Sequence, residues 1–368
     1  MALQLRPGIA EIAPYVGGEA SLPGVARPAK LSSNENPLGP SPKAIAAFRE
    51  ASLDLHRYPD GGAERLRAGL ARRFGLEAER IVCGNGSDEL IALLSRAYAG
   101  PGDEVLFSRH GFLMYRLSTL AVGATPRAAP EKNLQSDVEA LLAMVGPATR
   151  ILYLGNPNNP TGSYLTAAEV KDLRRRLPAE VLLVIDAAYA EYVEAADYEA
   201  GEGLVRAGDN VVMLRTFSKI YGLAGLRLGW AYCPPGIADA LNRVRGPFNT
   251  SAPAQAAALA ALEDEAHEEK SRAHNRVWRD WLAEKLAASG YRVHPSVGNF
   301  LLVEFADADA ADAFLKSRGL IMRKMGGYGL PHCLRITIGS EAETRATAAA
   351  LAEFAGGQAA ALPGAAAR

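Results

Sequence analysis

Lys219 has the setting that most invites chemistry. It lies in the stretch 211–230, VVMLRTFSKIYGLAGLRLGW, where an apolar β-branched run gives way to Thr216, Ser218 and Lys219, then to a glycine-punctuated turn and Arg227. The run fits a buried strand, so the lysine stands where the chain leaves the core. Burial penalises the charged ammonium and lowers its pKa, and a partly neutral amine can attack a carbonyl to make a Schiff base. Arg227 offers a permanent charge with forked donors, and Thr216 and Ser218 add hydroxyls, a set that suits a phosphate monoester. Taken alone, the plain alternative is a solvated lysine at a strand end.

Other strand ends carry residues that belong with this set, and in open α/β sheets ligands bind beyond the carboxyl ends of the strands. Gly84-Asn85-Gly86-Ser87-Asp88 follows one apolar run and opens a helix. Glycines there let backbone approach closely, and free N–H groups at the helix start favour an anion. The same motif also fits a simple turn with Ser87 as cap. Phe112 and Tyr115 follow the next run; either is a core aromatic or a surface on which a flat ring stacks, and neighbouring His110 reads as a loop histidine. NPNNPTG at 156–162 is more specific, because its prolines fix φ and withhold donors while Asn159 and its companions offer amide hydrogen bonds. Asp186 ends the run VLLVID, where a carboxylate is costly to bury unpaired. It reads as a cap or salt-bridge partner, or as the partner of a protonated pyridine nitrogen with Tyr189 donating to a ring oxygen. Together these residues answer the functional groups of pyridoxal 5′-phosphate one by one: aldehyde, phosphate, ring oxygen, ring nitrogen and ring face.

The elements that must position them alternate. Apolar runs at 81–83, 104–108, 151–154 and 181–185 are each followed by helical or loop patterns, and Thr166 and Glu169 stand at capping-box spacing before one helix. Strands alternating with helices predict right-handed crossovers and a mainly parallel sheet covered on both faces. The expected fold is therefore α/β, a large domain over 41–253, preceded by an arm at 1–40 that also joins the small domain. One or two connecting helices over 254–290 lead to a smaller α+β domain over 291–355. Within it, strands are expected at 299–305, 320–325 and 334–338, with a last helix opened by Ser340 and Glu343. Residues 356–368, nearly all Ala, Gly and Pro, read as a disordered tail.

Composition narrows the class. At 368 residues with a formal net charge of −1, the chain offers no basic excess for a nucleic-acid partner, and Arg174, Arg175 and Arg176 read as the solvated face of a helix. No apolar run approaches the length of about 20 residues that a membrane span needs, and the first residues lack a signal-peptide core, so a soluble, cytoplasmic protein is expected. Cys83, Cys233 and Cys333 are far apart and suggest neither a disulfide framework nor a metal site.

The motifs SSNENPLGPSP, RYPDG, GNGSDE, FLMY, NPNNPTG, DAAYAEY, TFSKIYGLAGLRLGW and LRITIG, spread from about residue 26 to 339, resemble the fold-type I aminotransferases, and within them the chain is similar to the histidinol-phosphate aminotransferase family. This resemblance implies a sheet of the seven-stranded type. It implies that Lys219 holds pyridoxal 5′-phosphate as a Schiff base and then moves the substrate proton. Asp186 would keep the ring protonated, Asn159 and Tyr189 would bond the ring oxygen, and Phe112 would stack on the ring. Gly86, Ser87, Asp88, Thr216, Ser218 and Arg227 would surround the phosphate. Tyr58 would reach that phosphate from a neighbouring subunit, which implies a homodimer with shared sites. Arg335 would take the substrate α-carboxylate and Arg323 the far end of the side chain, with Asn34 beside them and Tyr15 closing the site from the arm.

The activity implied is ping-pong transamination between L-glutamate/2-oxoglutarate and histidinol phosphate, as in histidine biosynthesis. Relatives of this type also accept tyrosine or phenylalanine, and the loop MGGYGLPHC between Arg323 and Arg335 does not separate these substrates. A pyridoxal-phosphate-dependent decarboxylase of a phosphorylated amino acid keeps the same scaffold. A ligand-sensing half of a transcription regulator would need a DNA-binding domain, for which the stretch before Ala26 is too short.

Overall fold

The computed structural model describes residues 3–14 and 17–361, with side chains up to residue 357. Tyr15 and residues 362–368 lie outside the described residues. Seven strands form the central sheet in the spatial order Ile81–Gly84, Gly229–Tyr232, Val211–Thr216, Leu182–Asp186, Thr149–Gly155, Glu104–Ser108 and Thr125–Ala129. All neighbours are parallel except Gly229–Tyr232, which runs antiparallel to both of its partners.

The central strands are apolar without alternation because both faces are covered. Leu152, Leu154, Leu183, Ile185, Val211 and Met213 pack into one layer, while Ile151, Tyr153, Leu182, Val184, Val212 and Leu214 pack into the other. This is the pattern expected of a parallel sheet sandwiched between helices. Register brings Gly155, Asp186 and Leu214 side by side at the carboxyl edge. Lys219 follows five residues beyond Leu214, so the strand ends deliver their polar residues to one side of the sheet.

Helix starts carry the expected signals. Ser41 caps Pro42–Ala51 through the Ala44 N–H, and Thr166 and Glu169 form a reciprocal capping box on Ala167–Arg176. Arg175 and Arg176 of that helix pair with Asp172 and Glu139 on its exposed side. The stretch after the central sheet forms two helices, Ala252–Leu262 and Glu265–Ala288. A four-stranded antiparallel sheet follows, ordered Arg292–His294, Phe300–Glu304, Cys333–Thr337 and Arg323–Lys324. It packs through Leu301, Val303, Leu334 and Ile336 against Leu282, Leu286, Leu315 and Leu351.

Three features depart from the sequence reading. The strands Thr125–Ala129 and Gly229–Tyr232 were not anticipated: the first is an edge strand with a proline and mostly exposed side chains, the second is four residues opened by glycine. The strand expected over 320–325 is split, because the chain changes partners at Met322. Leu320–Ile321 pairs in parallel with Ala29–Lys30 of the N-terminal segment, and Arg323–Lys324 pairs with Cys333–Thr337. The last helix runs Glu341–Ala361, past Gly356 where the tail was expected to begin.

Among the described residues no helix is long and apolar enough to cross a membrane, and no cluster of His, Cys, Asp and Glu could hold a metal ion. The three cysteines are buried and free.

Candidate active site

A cavity of about 190 Å³ opens at the carboxyl edge of the central sheet. Its lining includes Asn34, Ser87, Asp88, Phe112, Asn159, Asp186, Tyr189, Thr216, Ser218, Lys219, Arg227, Arg323 and Arg335. Thirteen residues singled out from sequence thus meet at one place although they span some 300 positions of chain.

At one end sits an anion cradle. Gly86 has φ 81° and ends the turn before the helix Ser87–Tyr98, whose first N–H groups receive no side-chain cap. A Cβ on Gly86 would stand 2.6 Å from Arg227 Nη2, so only glycine lets the guanidinium close over the helix start. Gly86 therefore stands behind the cavity rather than lining it. Arg227 is itself left-handed, φ 52°, and its Nη2 donates to Asp88 Oδ2 at 3.0 Å while Nη1 donates to Ser218 Oγ at 3.3 Å. Thr216 Oγ1 accepts from the Ser218 N–H at 3.1 Å, which fixes the turn leading to Lys219.

Lys219 is half-buried, its Nζ 3.4 Å from the Ser33 carbonyl and 5.5 Å from the centre of the Tyr189 ring. Burial, reinforced by the Arg335 charge, pushes its pKa down to about 8, against the pull of Asp88 and Glu35. Asp186 is buried, and its Oδ2 accepts from Tyr115 Oη at 2.9 Å. Its Oδ1 is buried and makes no hydrogen bond of ordinary geometry. Desolvation raises this carboxyl to about 6 in spite of the Tyr115 hydrogen bond. Tyr189 is buried too and pushed up to about 12 by desolvation; its oxygen accepts from Asn34 Nδ2 at 2.8 Å.

The NPNNPTG loop divides its asparagines between tasks. Asn156 bonds the backbone of Leu165 through both ends of its amide, and Asn158 bonds the His110 carbonyl and Thr161. Asn159 instead reaches the cavity, where its Oδ1 accepts from Arg335 Nη1. Arg335 also donates to the Ser32 carbonyl at 2.9 Å and lies over the Phe300 ring. Arg323 stands opposite Arg335 across the strand pair, so both guanidinium groups come from one small sheet.

Phe112 lines the cavity, whereas His110 is turned away and bonded through Nδ1 to Glu131 at 2.7 Å. Tyr58 does not line the cavity of its own chain; it is 82% exposed and stacks on Phe248 with ring centres 4.7 Å apart. The cavity also contains Ser32, Ser33 and Tyr328, which the sequence reading did not single out, and Tyr115, which it offered only as a core aromatic or an alternative ring stacker. Only Tyr115 carried a signal, three residues after Phe112 and so on the same side of a helical turn. A buried ion pair also went unseen: Glu191 Oε1 accepts from Arg215 Nη2 at 2.8 Å, with the guanidinium against the stacked rings of Phe74 and Trp230. It ties the turn after Asp186 to the strand that ends at Thr216.

The cavity fits pyridoxal 5′-phosphate on its own chemistry. A buried carboxylate with one oxygen unpaired awaits a cationic N–H, an amine with lowered pKa awaits a carbonyl, and uncapped helix N–H groups beside an arginine await a phosphate.

Comparison with known proteins agrees. The family model for aminotransferases of class I and II matches residues 27–351. A histidinol-phosphate aminotransferase of Paramagnetospirillum magneticum is 60% identical over 356 residues, 95% of this chain and 98% of the relative. One of Rhodospirillum centenum is 59% identical over 353 residues, with 95% and 98% covered. The crystal structure of histidinol-phosphate aminotransferase from Sinorhizobium meliloti in complex with pyridoxal-5′-phosphate superposes with a TM-score of 0.90 at 33% identity, covering 97% of this chain and 99% of that one. With the motif residues gathered in one cavity and the match spanning nearly the whole chain, this protein belongs to the class I and II aminotransferases.

Proposed function

We propose that the chain catalyses transamination between L-glutamate and the keto form of histidinol phosphate, with pyridoxal 5′-phosphate held in the cavity described above. The observation that carries this reading is the unpaired Oδ1 of Asp186 in the cavity that also contains Lys219 and the cradle around Arg227. When bound, the cofactor supplies an electron sink that stabilises negative charge at the substrate α-carbon.

The chain's own residues then have defined tasks. Lys219 Nζ would hold the cofactor through its carbonyl carbon and would take the proton from the substrate α-carbon. A pKa near 8 leaves part of this amine neutral at neutral pH. Asp186 would receive the ring N–H through Oδ1 and keep that nitrogen protonated. Asn159 and Tyr189 would orient the ring through its oxygen, and Phe112 would cover one face. Ser87, Asp88, Thr216, Ser218 and Arg227 hold the phosphate, with Asp88 keeping Arg227 aimed at it.

Two arginines in one cavity suit substrates that carry anions. Arg335 pairs with the α-carboxylate of glutamate, while Arg323 meets a more distant anion, either the second carboxylate or the phosphate ester of histidinol phosphate. Five relatives at 52–60% identity bear the histidinol-phosphate name, which favours that amino donor over tyrosine and phenylalanine.

The working unit is a cytoplasmic homodimer. Tyr58 and Phe248 form a stacked pair at the surface, and Ile45, Phe48, Leu223 and Leu226 line an apolar groove that a second copy would cover. Tyr58 then serves the neighbouring site.

The test is a comparison of kcat/KM for histidinol phosphate, tyrosine and phenylalanine with 2-oxoglutarate as acceptor. The proposal expects histidinol phosphate to lead by at least ten-fold; equal values, or a lead for tyrosine, would overturn the substrate assignment.

A further inference from the structure

Asp186 is held in place by a side chain that lies on a different strand connection. Tyr115 sits in the helix Leu113–Ala121, is 1% exposed, and stacks flat on Tyr153 with ring centres 4.9 Å apart and planes 4° from parallel. Phe112 closes on its edge at 5.9 Å. The ring therefore has no freedom to swing, and its hydroxyl has one acceptor, Asp186 Oδ2 at 2.9 Å. Burial and the neighbouring carboxylate push the phenol far above its ordinary pKa, so it remains a donor.

This approach depends on a gap in the sheet. Gly155 is the register partner of Asp186 on the adjacent strand. A Cβ there would stand 3.3 Å from Tyr115 Oη and 2.8 Å from Asn158 Oδ1. A side chain at 155 would press on the phenol where it passes to reach the carboxylate.

We propose that Tyr115 is the positioning residue for Asp186: passing through the gap at Gly155, its hydroxyl engages Oδ2, fixes the carboxylate plane, and leaves Oδ1 as the acceptor for the ring nitrogen of bound pyridoxal 5′-phosphate. This rests on the cavity being the cofactor site. Besides Tyr115, the Ala188 backbone N–H also faces the carboxylate and favours its ionised form; of the charged groups, Asp88 opposes its ionisation and Lys219 favours it, and neither orients it by a hydrogen bond.

A control is built into the fold. Tyr153 is an equally buried phenol in contact with the same ring, but its hydroxyl bonds the Ile91 carbonyl at 2.9 Å and Ser95 Oγ at 3.0 Å, away from Asp186. Tyr115→Phe and Tyr153→Phe each delete one buried O–H, so a purely structural role predicts the same consequences for both. The experiment measures the dissociation constant of pyridoxal 5′-phosphate from apo-protein, together with melting temperature, for wild type and both variants. The pair of constants is then repeated for Tyr115→Phe in an Asp186→Asn background.

Loss of one hydrogen bond to a charged group corresponds to about ten-fold in an equilibrium constant. Y115F is expected to weaken cofactor binding about ten-fold while Y153F stays within two-fold of wild type, and the Y115F effect shrinks in the D186N background because the two groups act as one unit. Equal constants for Y115F and Y153F, or a Y115F effect undiminished by D186N, would overturn the proposal while leaving the cofactor site intact. Wild-type apo-protein that takes up no cofactor would instead overturn the site on which it rests.

Discussion

Asp186→Asn separates what the carboxylate does for function from what it costs the fold. The substitution keeps the shape of the side chain and an acceptor for the Tyr115 hydroxyl, and removes the charge. Burial raises the Asp186 pKa from its ordinary 3.8 to about 6. A carboxyl whose folded pKa lies above its unfolded one contributes most to stability below the unfolded value and loses that contribution as pH rises through the folded value. Each pH unit of that gap is worth about 1.36 kcal/mol. Ionised Asp186 therefore costs the apo-protein roughly 3 kcal/mol at pH 8, and roughly 1.6 kcal/mol at pH 5, where only the unfolded chain has fully ionised. The fixed cost of burying an amide is the same at both pH values, so the difference of about 1.4 kcal/mol is the quantity to measure. For a chain of this length it corresponds to about 2 °C. The assay is thermal unfolding of apo wild type and apo D186N at pH 5 and pH 8. The melting temperature of D186N relative to wild type should be about 2 °C higher at pH 8 than at pH 5, while turnover of the holoenzyme falls about a hundred-fold through loss of an interaction worth about 3 kcal/mol. A pH-independent gap, or a larger one at pH 5, would refute the reasoning that burial strains this carboxylate.

Arg335→Ala should raise KM for glutamate, tyrosine and phenylalanine alike, and a loss confined to one of them, read from steady-state kinetics, would remove Arg335 from the α-carboxylate. Arg323→Ala should reduce kcat/KM for histidinol phosphate far more than for tyrosine; equal losses would assign it a general role. Glu191→Ala leaves Arg215 buried without its counter-charge, a change worth about 3–5 kcal/mol, so the melting temperature should fall by about 4–6 °C; an unchanged melting temperature would show that the pair does not brace the strand ends.

Much of the site was legible because its residues follow apolar runs. Where a run such as VLLVID ends abruptly in a charged residue or a glycine-rich turn, the chain is leaving the core at a sheet edge, and Asp186, Lys219 and Gly86 were all found that way. Capping at Thr166 and Ser340 was legible for a similar reason, since three-residue spacing is local. Contacts that depend on register were not. Tyr115 meets Asp186 through a glycine on a third segment, a geometry that no spacing within one segment encodes. Glu191 and Arg215 look like ordinary solvated charges in sequence; their burial follows only once the stacked rings of Phe74 and Trp230 lie against the guanidinium. The edge strand Thr125–Ala129 lacks an apolar face to betray it, and the change of partner at Met322 requires the N-terminal strand Ala29–Lys30, some 290 residues away, to be known first.

The central claim is that one lysine tethers the cofactor among the residues gathered at the sheet edge. Reducing the holoenzyme with borohydride converts the Schiff base to a stable secondary amine, which peptide mapping by mass spectrometry then locates. The account predicts a pyridoxyl-phosphate adduct on the peptide containing Lys219 and none in Lys219→Ala. An adduct on another lysine, or colour retained by Lys219→Ala after dialysis, would contradict it.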